Sequence, residues 1–300
     1  MKYFILFLGI ISIAFVTYIN FYPKEFKRLI YEITNNEDFV LPEENEYFLN
    51  SNFKYVKNFT DDPTSKEELI NYIYYVVNSG SEYADGECAK TYKNCLTDLN
   101  IIANDETTLS LLNNFVHPFN SFKEITFTYN EYGKFSIIVE HTYTKEQIAK
   151  INYVVDNIMK DEIRDNMTTN DKIKAIHDYV INNTKYDTLK TDNIKDDTYM
   201  SNTAYGVFVE GYGICSGYSD AISILLNRLN IENYKISNDN HIWNLIYING
   251  VWVHLDATWD DPISKINQNR DTYFLIDTKT LTELDDKTHS FNKTIYSEAN

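Results

Sequence analysis

Cys215 lies in Gly213-Ile214-Cys215-Ser216-Gly217-Tyr218. Farther along the chain come His241-Ile242-Trp243-Asn244 and Asp256-Ala257-Thr258-Trp259-Asp260-Asp261. A thiol, an imidazole and a carboxylate are the groups that nucleophilic attack on an acyl carbon needs. The imidazole pairs with the thiolate and later gives a proton to the leaving group, while the carboxylate fixes the imidazole's tautomer. An isolated cysteine is more often an inert core residue. The elements around these three side chains decide between the two readings.

Tyr218, Ile222, Leu225, Leu226 and Leu229 recur at helical spacing, so Cys215 should open a helix with its apolar stripe toward the core. Unpaired N–H groups and the positive end of the helix dipole there favour thiolate. Residues 242–248 and 251–257 are rich in Ile, Val, Trp and Tyr, and only Asn249-Gly250 separates them. That dipeptide predicts a two-residue type I′ hairpin. Pairing Ile248 with Val251 sets Trp243 opposite Asp256 and His241 opposite Thr258. His241 and Asp256 then become diagonal neighbours, about 7–8 Å apart at the backbone. Ile242, Ile246, Ile248, Val251, Val253 and Leu255 form the core face, with Asn244 its polar exception. His241, Trp243, Tyr247, Trp252, His254 and Asp256 share the other. Helix start, turn and register agree, which favours catalysis.

At these residues the chain resembles the transglutaminase-like superfamily, especially its microbial and kyphoscoliosis-peptidase-like branches. The motifs are Gly213-x-Cys215-x-Gly217-Tyr218, His241-x-Trp243-Asn244 and Asp256-x-Thr258-Trp259-Asp260-Asp261, with a looser lead-in over 172–179 and 183–187. The resemblance implies an α+β, papain-like core in which a helix bearing the cysteine packs on an antiparallel sheet bearing His and Asp. It also implies Cys215 as nucleophile, His241 as base and Asp256 as orienting acid. Ile242 stands where many members carry a small residue, and it should point into the core. The β-sandwich domains of the animal enzymes have no counterpart, so calcium-gated cross-linking does not carry over.

Three hundred residues suit one sizeable domain with an appendage. A net charge of −17 argues against nucleic-acid binding, which needs a basic face. Three cysteines without paired spacing argue against a structural metal site, and no cofactor is expected. Residues 3–19 are free of charge and nearly long enough to span a bilayer. Without a convincing cleavage site they read as an uncleaved signal anchor rather than a signal peptide. Lys24, Lys27 and Arg28 taken alone would keep the body inside. Cys88 and Cys95, close together and away from the motifs, are expected to form a disulfide, which favours an extracytoplasmic body on a single-pass anchor.

The expected organisation is an anchor (1–22), a stalk or linker (23–65), a small α+β region (66–140) and the catalytic domain (141–300). A short amphipathic helix is expected at 24–34. Ser65 should cap a helix to Val77, with Glu68 completing a capping box. Helices are expected near 91–102, 106–116, 145–164, 169–183 and 279–285. Strands are expected at 122–130, 134–143 and 272–276.

Several residues carry weaker expectations. Tyr205 is the candidate second oxyanion donor, beside the Cys215 N–H. Trp243 and Trp259 are candidates for the substrate cleft, and His254 for its margin. His177 reads as a packed, hydrogen-bonded core histidine. Asp260 and Asp261, next to Pro262, should set a turn or anchor the hairpin's exit. His117, His141 and His289 belong to no visible constellation.

The functional expectation is a membrane-anchored thiol enzyme that acts on peptide or side-chain amides through an acyl-thioester on Cys215. Hydrolysis by a peptidase or amidase is favoured over amine transfer, with a polypeptide or cell-envelope peptide as substrate. The alternative is a catalytically inactive, anchored binding or scaffold module of the same fold.

Overall fold

A four-stranded antiparallel sheet stands at the centre of the fold and buries both of its faces. The structure, a computed structural model, describes residues 17–18, 21–23, 39–261, 271–285 and 287–300. The N-terminal region contains α1 (Lys66–Ser79), β1 (Tyr83–Glu87), α2 (Cys95–Ala103), α3 (Glu106–Leu112), β2 (Phe122–Tyr129) and β3 (Lys134–His141). Its strands form a sheet in the order β1-β3-β2. Then come α4 (Lys145–Glu162), α5 (Thr169–Asn183), the two-residue β4 (Lys185–Tyr186), α6 (Thr188–Asp192), a π-helical turn (Gly206–Glu210) and β5 (Tyr212–Gly213). The central elements are α7 (Cys215–Arg228), β6 (Asn233–Ser237), β7 (Ile242–Ile248), β8 (Val251–Leu255), α8 (Ala257–Asp260), β9 (Phe274–Ile276) and α9 (Thr278–Leu284).

Strands β6 to β9 pair in chain order. Ile246, Ile248, Val253 and Leu255 meet Ile222, Leu225 and Leu226 of α7 in one core. Tyr234, Ile236, Trp243 and Leu245 point the opposite way, into a second core with Phe115, Tyr74 and Leu99. The face expected to carry the open site is therefore largely covered by the N-terminal region. Residues 39–65 pack where a stalk was expected: Tyr55 is buried, and the Asn45 and Leu49 amides donate to the C-terminal end of α1. An aromatic-rich segment gains more from covering α1 than from staying in water.

Local capping chemistry sets many of the helix ends. Ser65 Oγ accepts from the Glu68 N–H, but Glu68 returns its carboxylate to Thr64 instead of completing the box on Ser65. Thr144 and Thr168 make full capping boxes with Gln147 and Asp171. The Asn249-Gly250 turn has φ of 53° and 87°, as type I′ demands, and Ile248 pairs with Val251. Strand β1 carries no alternating apolar pattern and includes Gly86, which hid it from a periodicity reading.

The expected membrane anchor and the extracytoplasmic placement built on it need correction. No helix among the described residues is long and apolar enough to cross a membrane. Residues 3–16 and 19 of the expected span, and the expected helix at 24–34, lie outside the described residues.

Cys88 and Cys95 are joined as a disulfide, across a loop that leads into α2. Closing a loop of this size restricts the unfolded chain by about 2 kcal/mol. Reduction, or a Cys88→Ala and Cys95→Ala pair, should lower unfolding stability by about that amount. Denaturant melts with and without reductant would check it.

Candidate active site

Cys215 is the first residue of α7, and Ile214 before it is extended, so its N–H is one of the helix's orphan donors. The motif glycines keep this first turn in place. A Cβ on Gly217 would lie 2.3 Å from the Ser201 carbonyl oxygen, and one on Gly213 would lie 2.8 Å from the Tyr218 ring. Only glycine permits both approaches. Two hydrogen bonds tie α7 to β7. Asn244 Nδ2 donates to Ser219 O at 3.0 Å, and Ser219 Oγ donates to Ile242 O at 2.9 Å. Asn244, the polar exception on the core face, thus fixes the distance between the thiol's helix and the histidine's strand.

His241 directly precedes β7. Asn238 Oδ1 accepts from the His241 N–H at 3.0 Å, and His241 O accepts from the Asn238 N–H at 3.0 Å. Regular pairing of β7 with β8 ends at Asn244 and Leu255, short of the expected Trp243–Asp256 pair. Asp256 instead caps α8, its Oδ1 accepting from the Thr258 and Trp259 amides at 2.9 and 3.2 Å. Aspartate followed by Ala-Thr-Trp-Asp is an N-cap signal that outweighed the continuing strand pattern.

The expected diagonal contact is nevertheless made. His241 Nε2 donates to Asp256 Oδ2 at 2.5 Å, and Cys215 also acts on the charge of the imidazole. With Nε2 engaged by Asp256, Nδ1 is the ring nitrogen left for the thiol. Burial opposes charge on His241, but Asp256 and Cys215 outweigh it and push the imidazole up to about 10. Burial likewise opposes charge on Asp256, yet the two imidazoles on its carboxylate hold it well below the usual range. The pair's contribution to stability is whole between the ordinary values of 3.8 and 6.5. It fades as pH rises through about 10, where His241 discharges, and as pH falls through the depressed value of Asp256.

The second imidazole on Asp256 belongs to His289, whose Nε2 donates to Oδ2 at 2.9 Å. Sequence spacing gave no sign of it. Tyr186 was also missed. It stands on β4 beside Gly213, and burial together with the Cys215 and Asp256 charges pushes its phenol up.

The other candidates fall as follows. Trp243, expected on the cleft wall, is 1% exposed and stacks beneath His241 at 5.7 Å, its Nε1 donating to His254 Nδ1. It supports the histidine from inside, because the N-terminal region covers that face. His254, expected at the cleft margin, is buried there too, and burial pushes it down to about 3. Trp259 is 38% exposed and edge-on to His241 at 6.2 Å. Tyr205 lies with its ring 5.9 Å from Lys150 Nζ. His177 is a packed histidine, bonded to Asp178 and to buried Asp260.

Among the described residues, His241, Asp256 and His289 form the cluster whose donor atoms lie close enough for a metal ion. Their N···O separations of 2.5 and 2.9 Å are those of hydrogen bonds, which already use Asp256 Oδ2 and both Nε2 atoms.

Residues 157–257, which include all three motif residues, match the transglutaminase-like superfamily. Among solved structures, one described as a TGase is 19% identical, with a TM-score of 0.34, and covers 57% of this chain and 51% of its own. A candidate cysteine protease from Cytophaga hutchinsonii is 16% identical, with a TM-score of 0.28, over 45% of this chain and 61% of its own. The match therefore spans between half and two thirds of those two chains. No curated protein matches this sequence.

Replacing Asp256 with Asn would turn an N–H₂ group toward two imidazole Nε2–H donors and force His241 into the wrong tautomer. In Asp256→Asn, burial would then dominate, and the His241 ring, followed by NMR, should titrate far below pH 10. Alkylation of Cys215 at pH 6.5 should slow about 100-fold.

Proposed function

We propose that this chain, whose residues 157–257 match the transglutaminase-like superfamily, is a thiol enzyme that opens peptide or side-chain amides through an acyl-thioester on Cys215. The observation that carries this reading is the His241 imidazole bonded to Asp256 through Nε2 and kept charged by Asp256 and Cys215 together. A held and charged imidazole against a thiol is the resting state from which such chemistry starts.

In the first half-reaction the Cys215 thiolate attacks the amide carbonyl carbon and a C–S bond forms. The oxyanion takes the Cys215 N–H as one donor, and Tyr205 is kept as the proposed second. His241 Nδ1 gives its proton to the amide nitrogen as the C–N bond breaks, releasing ammonia or an amine. In the second half, water attacks the thioester and gives a proton to His241. The acid leaves, and the thiolate–imidazolium pair is restored. We propose water as the acceptor; an amine in its place would give transglutamination by the same steps. Trp259, half-exposed beside His241, is the proposed substrate-facing aromatic, and a polypeptide is the proposed substrate.

The test uses the full chain with a glutamine-containing polypeptide, with Cys215→Ala as blank. The reading predicts free ammonia or new amino termini with the wild type alone. Incorporation of a labelled amine would assign the transfer branch. No product and no thioester adduct on Cys215 would favour the binding-module alternative.

A further inference from the structure

His289 lies far from the three motifs in sequence, yet it is the second donor on the carboxylate that holds His241. Its side chain is fully buried. It stacks on Tyr273 at 5.0 Å and 21°, and meets His241, Trp243 and Trp259 edge-on, each at 5.1 Å. Nothing about this placement is loose. Asn238 Nδ2 donates to both Thr288 O and Ser290 O at 2.7 Å, gripping the chain on either side of the histidine. The same Asn238 side chain accepts from the His241 N–H. One asparagine therefore indexes both imidazoles against each other. Asp285, at the end of α9, holds the segment's entry by accepting from the Lys287 and Thr288 amides at 3.0 and 3.1 Å.

An ionised carboxylate only accepts. The proton between His289 Nε2 and Asp256 Oδ2 must then sit on the histidine, so His289 is the Nε2–H tautomer or the cation. Its Nδ1 looks toward Asp285 Oδ2 at 3.4 Å, an ion-pair separation that falls short of a hydrogen bond. His254 on β8 is the other titratable group near it, and that ring is kept neutral by burial. Oδ2 of Asp256 thus divides its electron density between two N–H donors, and its grip on the His241 proton is weaker than that of a singly bonded carboxylate.

We propose that His289 is a positioning residue of the catalytic machinery: its Nε2–H aims Asp256 Oδ2 at His241 and tempers how strongly Asp256 holds the His241 proton. The proposal rests on the thiol-enzyme reading, since the proton it governs is the one passed to the leaving amine. A too-basic His241 would keep that proton and stall C–N cleavage. A misaimed Asp256 would lose the imidazolium altogether. His289 acts against both failures.

The experiment uses the full chain and iodoacetate, an anion whose reaction with thiolate is hastened by a neighbouring imidazolium. The rate is followed from pH 4 to 11 in wild type, His289→Gln and His289→Phe. Phenylalanine keeps the aromatic packing and removes the donor, whereas glutamine keeps a donor. His289→Phe should shift the alkaline limb by about one pH unit and slow amide turnover about tenfold, the worth of one charge-assisted hydrogen bond. His289→Gln should restore both to within about twofold of wild type. Equal profiles for Phe and wild type, or equal losses in Phe and Gln, would overturn the proposal. Should the Phe variant fail to fold, ¹⁵N-histidine NMR of the wild type decides: a proton on His289 Nε2 supports the assignment, and a bare Nε2 refutes it. Exhaustive EDTA treatment should leave the wild-type rate unchanged, and loss of a bound metal along with that rate would overturn it. If the wild type itself shows no imidazolium-dependent limb, the thiol-enzyme reading fails first, and the proposal falls with it.

Discussion

The buried carboxylate of Asp256 is the constraint around which this fold is arranged. An ionised acid away from water is tolerated only when its lone pairs are filled, because an unpaired charge there is strongly destabilising. Here Oδ1 takes two amides at the start of α8, and Oδ2 takes an imidazole from each of two distant segments. Those four bonds come from three stretches of chain. Satisfying one side chain therefore brings together the end of β8, the start of β7 and the segment after α9. The charge that results is what keeps His241 protonated beside Cys215.

A second requirement is that the thiol's helix and the histidine's strand hold their spacing. The sheet manages this because it is clamped on both faces, by α7 on one and by the N-terminal region on the other. Asn244 and Ser219 add directed bonds across the α7 interface, where apolar contacts alone would allow sliding. Trp243 plays the matching part from below, stacked on His241 and tied to His254. The N-terminal region thus contributes to the site without supplying any of its three motif residues.

Local chemistry with a short reach was legible in the sequence. The Asn249-Gly250 turn fixed the hairpin register, the apolar stripe of α7 fixed the place of Cys215, and together they brought His241 within reach of Asp256. Two features misled. The pattern through residue 257 read as strand, but the capping power of aspartate ended β8 two residues earlier, at Leu255. The face bearing Trp243 and His254 read as open because nothing local says what will cover it. His289 was invisible for a different reason. Its role depends on a loop folding back across the sheet, and no period or motif encodes that return. Tyr186 falls within the 183–187 lead-in, but its place beside Gly213 depends on β4 pairing with β5.

The central claim is that Cys215 rests as a thiolate paired with imidazolium, and its alkylation rate against pH tests this most directly. The full chain would be treated with iodoacetamide, with Cys215→Ala as the blank. The account predicts a rate already level below about pH 7, because a neighbouring imidazolium favours thiolate. A rate that climbs only through about pH 8.5 would contradict it, leaving Cys215 an ordinary cysteine at the start of a helix.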